Sequence, residues 1–297
     1  MARPDAALRI NPNIKRGRAD HLYHFGLHFP DEHVESFFAD TKFVFCGGSA
    51  KRMERLAKNF ADHFPQYSGS VVADLSTTDR YSMFKVGPAV FVNHGIDMPS
   101  MKVALNEVFK LLFYAGALQS TTFFRVGTSG GLGIAPGTVV VTTATLNADL
   151  RKNIHTQKLF GKPVDVAAQL DTELVADVLS HASEVNFPVV AGVTHSTEDF
   201  YEGQLRLDGA FCSYDVEQKL AFLRRLSAEF DVANIEMEAD CFAALTHRAG
   251  VRAAIADAIL VDRFRGDQID VEPEECLGWQ MRPFALLLRY VETRSAR

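Results

Sequence analysis

Three segments set an arginine beside glycines or at a strand end, a pairing that suits an anion. In GGSAKRM (residues 47–53) two glycines let the backbone approach a ligand. The helix that follows offers free N–H groups and a positive dipole end, with Arg52 in its first turn. A plain tight turn with a surface arginine fits the same residues, and no G-x-G-x-x-G fingerprint is present. RVGTSGGLG (residues 125–133) joins four glycines to the hydroxyls of Thr128 and Ser129, directly behind a buried-strand pattern. It reads as a loop whose N–H groups cradle an oxyanion, with Arg125 aimed into it. Buried arginines are rare unless paired, which favours an anion pocket there. The next segment, IAPGTVVV, reads as a strand, unlike the helix of Rossmann and P-loop patterns. Arg80, in TTDRYSMFKVG, reads alone as an edge-strand arginine. Together Arg52, Arg80 and Arg125 suit forked, charge-assisted binding of phosphate.

Two further segments suit a heterocycle and a sugar. DFYEGQLR (residues 199–206) gathers Phe200, Tyr201, Gln204 and Arg206 around Gly203. An amide offers donor and acceptor, a guanidinium donors only, and the pair can read adjacent carbonyl and N–H groups of a ring such as uracil. Phe200 is placed to stack on it; a solvated loop with one buried aromatic is the bland alternative. NIEMEAD (residues 234–240) sets Glu236 and Glu238 two apart at a strand-to-helix junction, where strand spacing points both carboxylates one way. A carboxylate there can grip sugar hydroxyls, whereas acids favoured by the helix dipole are a strong rival account of Asp240. His21, His24, His28 and His33 cluster with Asp31 and Glu32 but carry no standard metal signature, and one histidine on a ligand hydroxyl suits them better. His94 and His195 follow apolar strand residues and read as core or rim histidines. No G-x-S-x-G elbow or H-E-x-x-H motif occurs.

The elements that must position these groups alternate in type. KFVFCGG is a strand leading into a helix over SAKRMERLAKNFADHF, with Ser49 as N-cap and Met53, Leu56, Ala57 and Phe60 on one face. SVVADL, YSMFKVG and AVFVNHG read as strands, the last two joined by a tight hairpin at Val86-Gly87-Pro88. A long helix, PSMKVALNEVFKLLFYAGA, precedes strand TTFFRVG. Strand TVVVTTATL leads to an irregular excursion or flap over residues 147–166. Then follow helix TELVADVLSHASEV, strand PVVAGVTHS, helix VEQKLAFLRRLSAEF, strand ANIEM, helix EADCFAALTHRAG, strand VRAAIADAILV and a final helix around PFALLLRYVE. Alternating strands and helices predict a mostly parallel sheet covered on both faces. No linker or repeat interrupts it, so one domain over residues 1–297 is expected, with residues 1–30 a polar arm lying on something else.

Bulk properties exclude several classes. The 297 residues carry 31 Lys and Arg against 37 Asp and Glu, a formal charge of −6 that argues against bulk attraction to nucleic acid or an anionic membrane. No segment approaches the roughly 20 apolar residues of a membrane span. The four cysteines form no CxxC pair, and the polar N-terminus lacks a secretory signal, so reduced thiols in the cytoplasm are expected.

Taken in order, GGSxxRM, TDRYxMxKVGP, RxGTSGGxG, DFYEGQxRLDGAxCSY and NIEMExxxFAA resemble the nucleoside phosphorylase-I family, and within it the uridine phosphorylases of animal type, which are usually dimers. The resemblance runs from about residue 11 to the C-terminal helix. It implies a single-domain α/β sandwich with a central mixed sheet flanked by helices. The implied reaction is reversible phosphorolysis of uridine to uracil and ribose 1-phosphate, a step of pyrimidine salvage, with no metal or organic cofactor. Gly48, Arg52, Arg125 and Thr128 would meet phosphate, with Arg80 from the partner subunit. Phe200, Gln204 and Arg206 would meet uracil, bordered by Arg263 and Ile269. Met237 and Glu238 would meet ribose, with His24 of the partner subunit on the 5′-hydroxyl. Arg52, Arg125, Arg206 and Glu238 would be catalytic. Two positions depart from the pattern: Leu205, where animal enzymes commonly have Gly, and Asp262, where they usually have Asn. Asp262 keeps purine nucleosides as a rival substrate, and a silent nucleoside-binding homologue is the rival from another class.

Overall fold

The computed structural model describes residues 11–295, so the first ten residues of the expected arm lie outside the described residues. Contacts divide the chain into two compact units: Met1–Arg125 with Leu245–Ala253, and Val126–Ala244 with Ala254–Arg297.

In the first unit β1 (Asp20–Leu22) and β2 (Leu27–Phe29) form an antiparallel hairpin, followed by α1 (Glu32–Phe38). Residues 20–29, expected as part of a polar arm outside the core, bury Leu22, Phe25 and Phe29. Then come β3 (Phe43–Gly47), α2 (Ala50–His63), β4 (Met83–Val86), β5 (Ala89–Asn93), α3 (Met98–Tyr114) and the start of β6 (Thr122–Gly131). The strand order is β6-β3-β5-β4; β3 is parallel to β5 and β6, and β4 is antiparallel to β5. Phe45 stacks on Phe91 and Phe124 at 5.1 and 5.4 Å between ring centroids. Helix α2 buries Met53, Leu56, Ala57 and Phe60, as their spacing predicts, and Ser49 Oγ caps it by accepting the Arg52 N–H. SVVADL is not a strand. Its Val71 is exposed, only Leu75 bonds back to the Met83 carbonyl, and the Asp74 carboxylate accepts the Met83 N–H that a ladder would use.

The second unit contains β7 (Val139–Leu146), β8 (Ile154–Leu159), β9 (Lys162–Ala167), α4 (Thr172–Ser180), β10 (Val189–Ser196), α5 (Val216–Phe230), β11 (Val232–Glu236) and α7 (Pro273–Ser295). It shares α6 (Ala239–Ala249) and β12 (Arg252–Asp262) with the first along the chain. β10 runs parallel to both β7 and β11, whereas β12 is antiparallel to β7. The mostly parallel sheet expected from the alternation is therefore mixed. Residues 154–167 form a regular antiparallel hairpin where an irregular flap was expected; largely solvated on both faces, β8 and β9 lack the apolar alternation that announces a strand. Leu132, Leu146, Val193, Leu223, Leu226, Val232 and Ile235 form an apolar core here. Among the described residues no helix is long and apolar enough to cross a membrane.

Strand β6 continues to Gly131, so its glycines are not the loop their density suggested. Gly130 and Gly131 pair with Ile235 and Asn234 of β11. A Cβ on Gly130 would lie 2.7 Å from the Arg263 side chain, and one on Gly131 2.9 Å from the Ile134 carbonyl oxygen. Glycine is required there by close approach, not by a turn.

Candidate active site

In the first unit the carboxyl ends of three strands are level. Cys46 of β3 lies opposite Arg125 of β6, and Gly47 opposite Asn93 of β5. Parallel strands leave their ligand crevice at this end. Arg125 is 3% exposed, and Arg52 is buried too, in the first turn of α2. A Cβ on Gly48 would lie 3.9 Å from Arg52 Nη2 and 3.1 Å from the Gly95 carbonyl oxygen. The register and this approach gather Gly48, Arg52 and Arg125 at one strand edge, next to a helix N-terminus that favours negative charge. Thr128 is half-buried further along β6. Arg80 is exposed on the irregular stretch before β4, not on an edge strand. The buried Glu107 carboxylate accepts the backbone N–H groups of His24 and Phe25 and meets His24 Nδ1 at 2.7 Å, which fixes the ring and leaves Nε2 as its outer nitrogen.

In the second unit the residues expected to meet a base are braced together. Arg263, 1% exposed, donates to the Gln204 backbone oxygen at 2.7 Å and to its Oε1 at 3.3 Å. A guanidinium has no acceptor, so the amide oxygen must face it, and this settles which way the amide points. Arg263 thus stands behind Gln204. Arg206 grips the Asp208 carboxylate through Nε at 2.9 Å and Nη2 at 2.7 Å, and Nη2 also donates to the Asp267 carbonyl. Its guanidinium lies 4.4 Å from the centroid of Phe200, whose ring is 43% exposed. That hydrogen-bonded grip holds the Asp208 carboxyl below the ordinary carboxylate range. Ile269 is exposed. Leu205 has φ +53°, which explains why glycine suits this position.

The sequence reading passed over two members of this cluster. Asp267 accepts from Arg263 Nε at 2.9 Å, from Lys219 Nζ at 2.7 Å and from the Leu207 N–H at 2.9 Å. Burial works to raise its carboxyl, but these donors hold it lowered. Burial likewise pulls the Arg263 guanidinium down, against the Asp267 charge. Lys219 carried one signal: it occupies an inward position of an otherwise ordinary amphipathic helix, where a lysine demands a partner.

At the sugar candidate, β11 ends at Glu236, so Met237 and Glu238 lie in a bend and strand spacing no longer relates the two acids. Glu236 is spent on the α6 terminus: it accepts the N–H groups of Glu238 and Ala239 and the Ser196 hydroxyl. Met237 and Glu238 are buried. Asp240 is no simple helix-start acid, since its carboxylate pairs with buried His155 at 2.9 Å. Asp262 accepts the N–H groups of Gly133 and Phe264 at 3.0 and 3.1 Å and meets Arg265 at 3.4 Å, tying backbone turns together. The N-terminal histidines are explained locally: His21 and His28 stack across the hairpin at 3.8 Å, and Asp31 caps α1. His94 and His195 are buried, and burial lowers the His195 imidazole. Among the described residues no three His, Cys, Asp or Glu side chains are grouped to hold a metal ion.

Comparison with known proteins identifies the family. The "Uridine and thymidine phosphorylase" of Caenorhabditis elegans is 41% identical over 94% of this chain and 93% of its own. The crystal structure of uridine phosphorylase from Schistosoma mansoni in complex with thymidine is similar at a TM-score of 0.91 and 32% identity, covering 97% of this chain and 98% of that one. A second Schistosoma mansoni relative, 31% identical over 96% of both chains, is named an inactive uridine phosphorylase B. The model of the phosphorylase superfamily matches residues 42–291. With sequence and fold in agreement over nearly its whole length, the chain belongs to the phosphorylase superfamily.

Proposed function

We propose that this chain is a pentosyltransferase that cleaves uridine reversibly with phosphate, giving uracil and ribose 1-phosphate. The observation that carries this reading is the Gln204 amide fixed by Arg263 beside Arg206. The amide oxygen keeps a lone pair for a ring N–H, its nitrogen donates to a carbonyl, and Arg206 serves the second carbonyl. Phe200 offers the stacking face. Breaking the glycosidic C–N bond builds positive charge on the ribose and negative charge on the departing base. Phosphate held by Gly48, Arg52, Arg125 and Thr128 supports the first; Arg206 supports the second, where transition-state stabilisation is greatest. Glu238 and Met237 hold the ribose, and aligning two substrates contributes much of the remainder. Ultraviolet absorbance of uridine tests the reading: loss that depends on phosphate is expected. Binding without turnover would instead make the chain a silent homologue, as the name of the inactive relative describes that protein.

A purine substrate is disfavoured. The acid that would protonate a purine is Asp262, and its oxygens are engaged by two backbone N–H groups and Arg265. Inosine turnover rivalling uridine and abolished in Asp262→Asn would overturn this. Thymidine belongs in the same assay, since a relative's name and a neighbour's ligand both include it. We further read residues 1–297 as one nucleoside phosphorylase domain acting as a cytoplasmic homodimer, the four free thiols being consistent with that compartment. Arg80, exposed on the stretch before β4, and His24, half-buried in the turn between β1 and β2, would complete the partner's site. Mixing Arg80→Ala with Arg206→Ala protein should then restore activity by subunit exchange; no recovery despite exchange would refute the sharing.

A further inference from the structure

We propose that Lys219 and Asp267 are positioning residues for base departure: Asp267 locks both arginines in place, and Lys219 leaves the cluster with one positive charge in excess, matched to an anionic uracil. The proposal rests on the uridine reading. Asp267 is the hub. Its carboxylate takes Arg263 Nε at 2.9 Å, Lys219 Nζ at 2.7 Å and the Leu207 N–H at 2.9 Å, and its carbonyl takes Arg206 Nη2 at 2.7 Å. Arg263 in turn holds Gln204. Asp267 therefore holds Arg263 and Arg206 directly and Gln204 through Arg263. Among the described residues the cluster holds three cations, Arg206, Arg263 and Lys219, against two carboxylates, Asp208 and Asp267: three minus two leaves one positive charge.

Lys219 is 3% exposed, and so thorough a burial of an ammonium is unfavourable unless its charge is used. Asp267 already has Arg263 as counter-charge, so Lys219 is not needed for pairing alone. Its charge becomes intelligible when an anion forms nearby. Both carboxyls of the cluster are held ionised, so neither donates a proton to the leaving base. Within this cluster stabilisation is then electrostatic, from groups fixed before the bond breaks.

The test uses two substrates that differ only in the base as leaving group. Fluorine at C5 withdraws electron density and stabilises the uracil anion, so 5-fluorouridine depends less on outside positive charge. For Lys219→Met, kcat for uridine should fall about tenfold, the effect of one unit charge acting through an intermediate dielectric. The KM for phosphate should not change, and 5-fluorouridine should lose several-fold less. Lys219→Arg, which keeps the charge, should recover most of the uridine rate. Equal losses on both substrates would reduce Lys219 to structural support and overturn the proposal, as would no loss at all. If Lys219→Met fails to fold, Lys219→Gln keeps a donor to Asp267 and reads the same ratio. Wild-type protein without phosphate-dependent uridine cleavage would sink the uridine reading itself, a result distinct from either mutant outcome.

Discussion

The phosphate candidate and the base candidate are built in opposite ways. Gly48, Arg52 and Arg125 sit on a strand end, a helix first turn and a level neighbouring strand, all held by backbone register. Gln204 and Arg206 sit on residues 197–215, which contain no helix or strand; Gln204 is held by the Arg263 side chain, and Arg206 by the Asp208 side chain and the Asp267 carbonyl. An inorganic anion is small and symmetric, and a repetitive backbone suffices to bring two arginines to one strand edge. A planar base with alternating donors and acceptors demands a fixed amide orientation, which needs a partner of defined polarity. Backbone geometry supplies position; the charged cluster supplies direction.

That contrast can be broken by substitution. The largest effect is expected for Arg125→Ala. Loss of one charged contact at the transition state costs about 2.7–4 kcal/mol, so kcat/KM for phosphate should fall by about two to three powers of ten. Uridine binding, measured without phosphate, should stay near wild type. Unchanged phosphorolysis would remove Arg125 from the site. Gly130→Ala tests whether the glycine run serves the anion or the base. A Cβ 2.7 Å from Arg263 must displace it, an overpacking that costs roughly 1–3 kcal/mol. The KM for uridine should rise while that for phosphate holds; the reverse pattern would return Gly130 to the phosphate side.

Smaller effects sharpen the comparison. Leu205→Gly relieves a left-handed residue at a cost in chain entropy, so a net gain of no more than about 1 kcal/mol is expected in urea unfolding. A loss above that would show that the leucine side chain packs for the loop. The weakest effect concerns Asp208, whose carboxyl is lowered by its grip on Arg206. A lowered carboxyl stabilises the fold above its unfolded value near 4 and loses that contribution as pH falls through the folded value. Partly solvent-screened, the contribution should stay under about 1 kcal/mol. The melting difference between wild type and Asp208→Asn should therefore shrink below pH ~4. A difference that grows on acidification would reverse the sign assigned to this pair.

What could be read from the sequence follows the same division. The β3-turn-α2 unit was legible because apolar spacing, the Ser49 cap and the glycines all lie within one short stretch. The hairpin at Gly87 and the span of α5 were legible for the same reason. The glycines of β6 misled, since glycine that permits turning and glycine that permits close passage look alike until Arg263 is placed against Gly130. Hairpin β8–β9 was hidden because it buries little on either face. Lys219 and Asp267 are 48 residues apart, and no local pattern couples them. Glu236 shared a motif with Glu238, yet only the end of β11 shows that it caps a helix.

The hold of Asp208 on Arg206 has a kinetic consequence. A guanidinium waiting bare in a buried recess gathers ordered water, and each arriving ring must strip it away. Here a carboxylate two residues along the chain and an aromatic face already cover that cation. On the proposed function, arrival and departure of a base would be an exchange of partners at a single side chain. The returning partner is tethered, so it is present at high local concentration whenever product leaves. On that reading, release would be met by immediate replacement, and the reorganisation of each cycle would fall on one short acidic side chain while the braced arginines stay where they are.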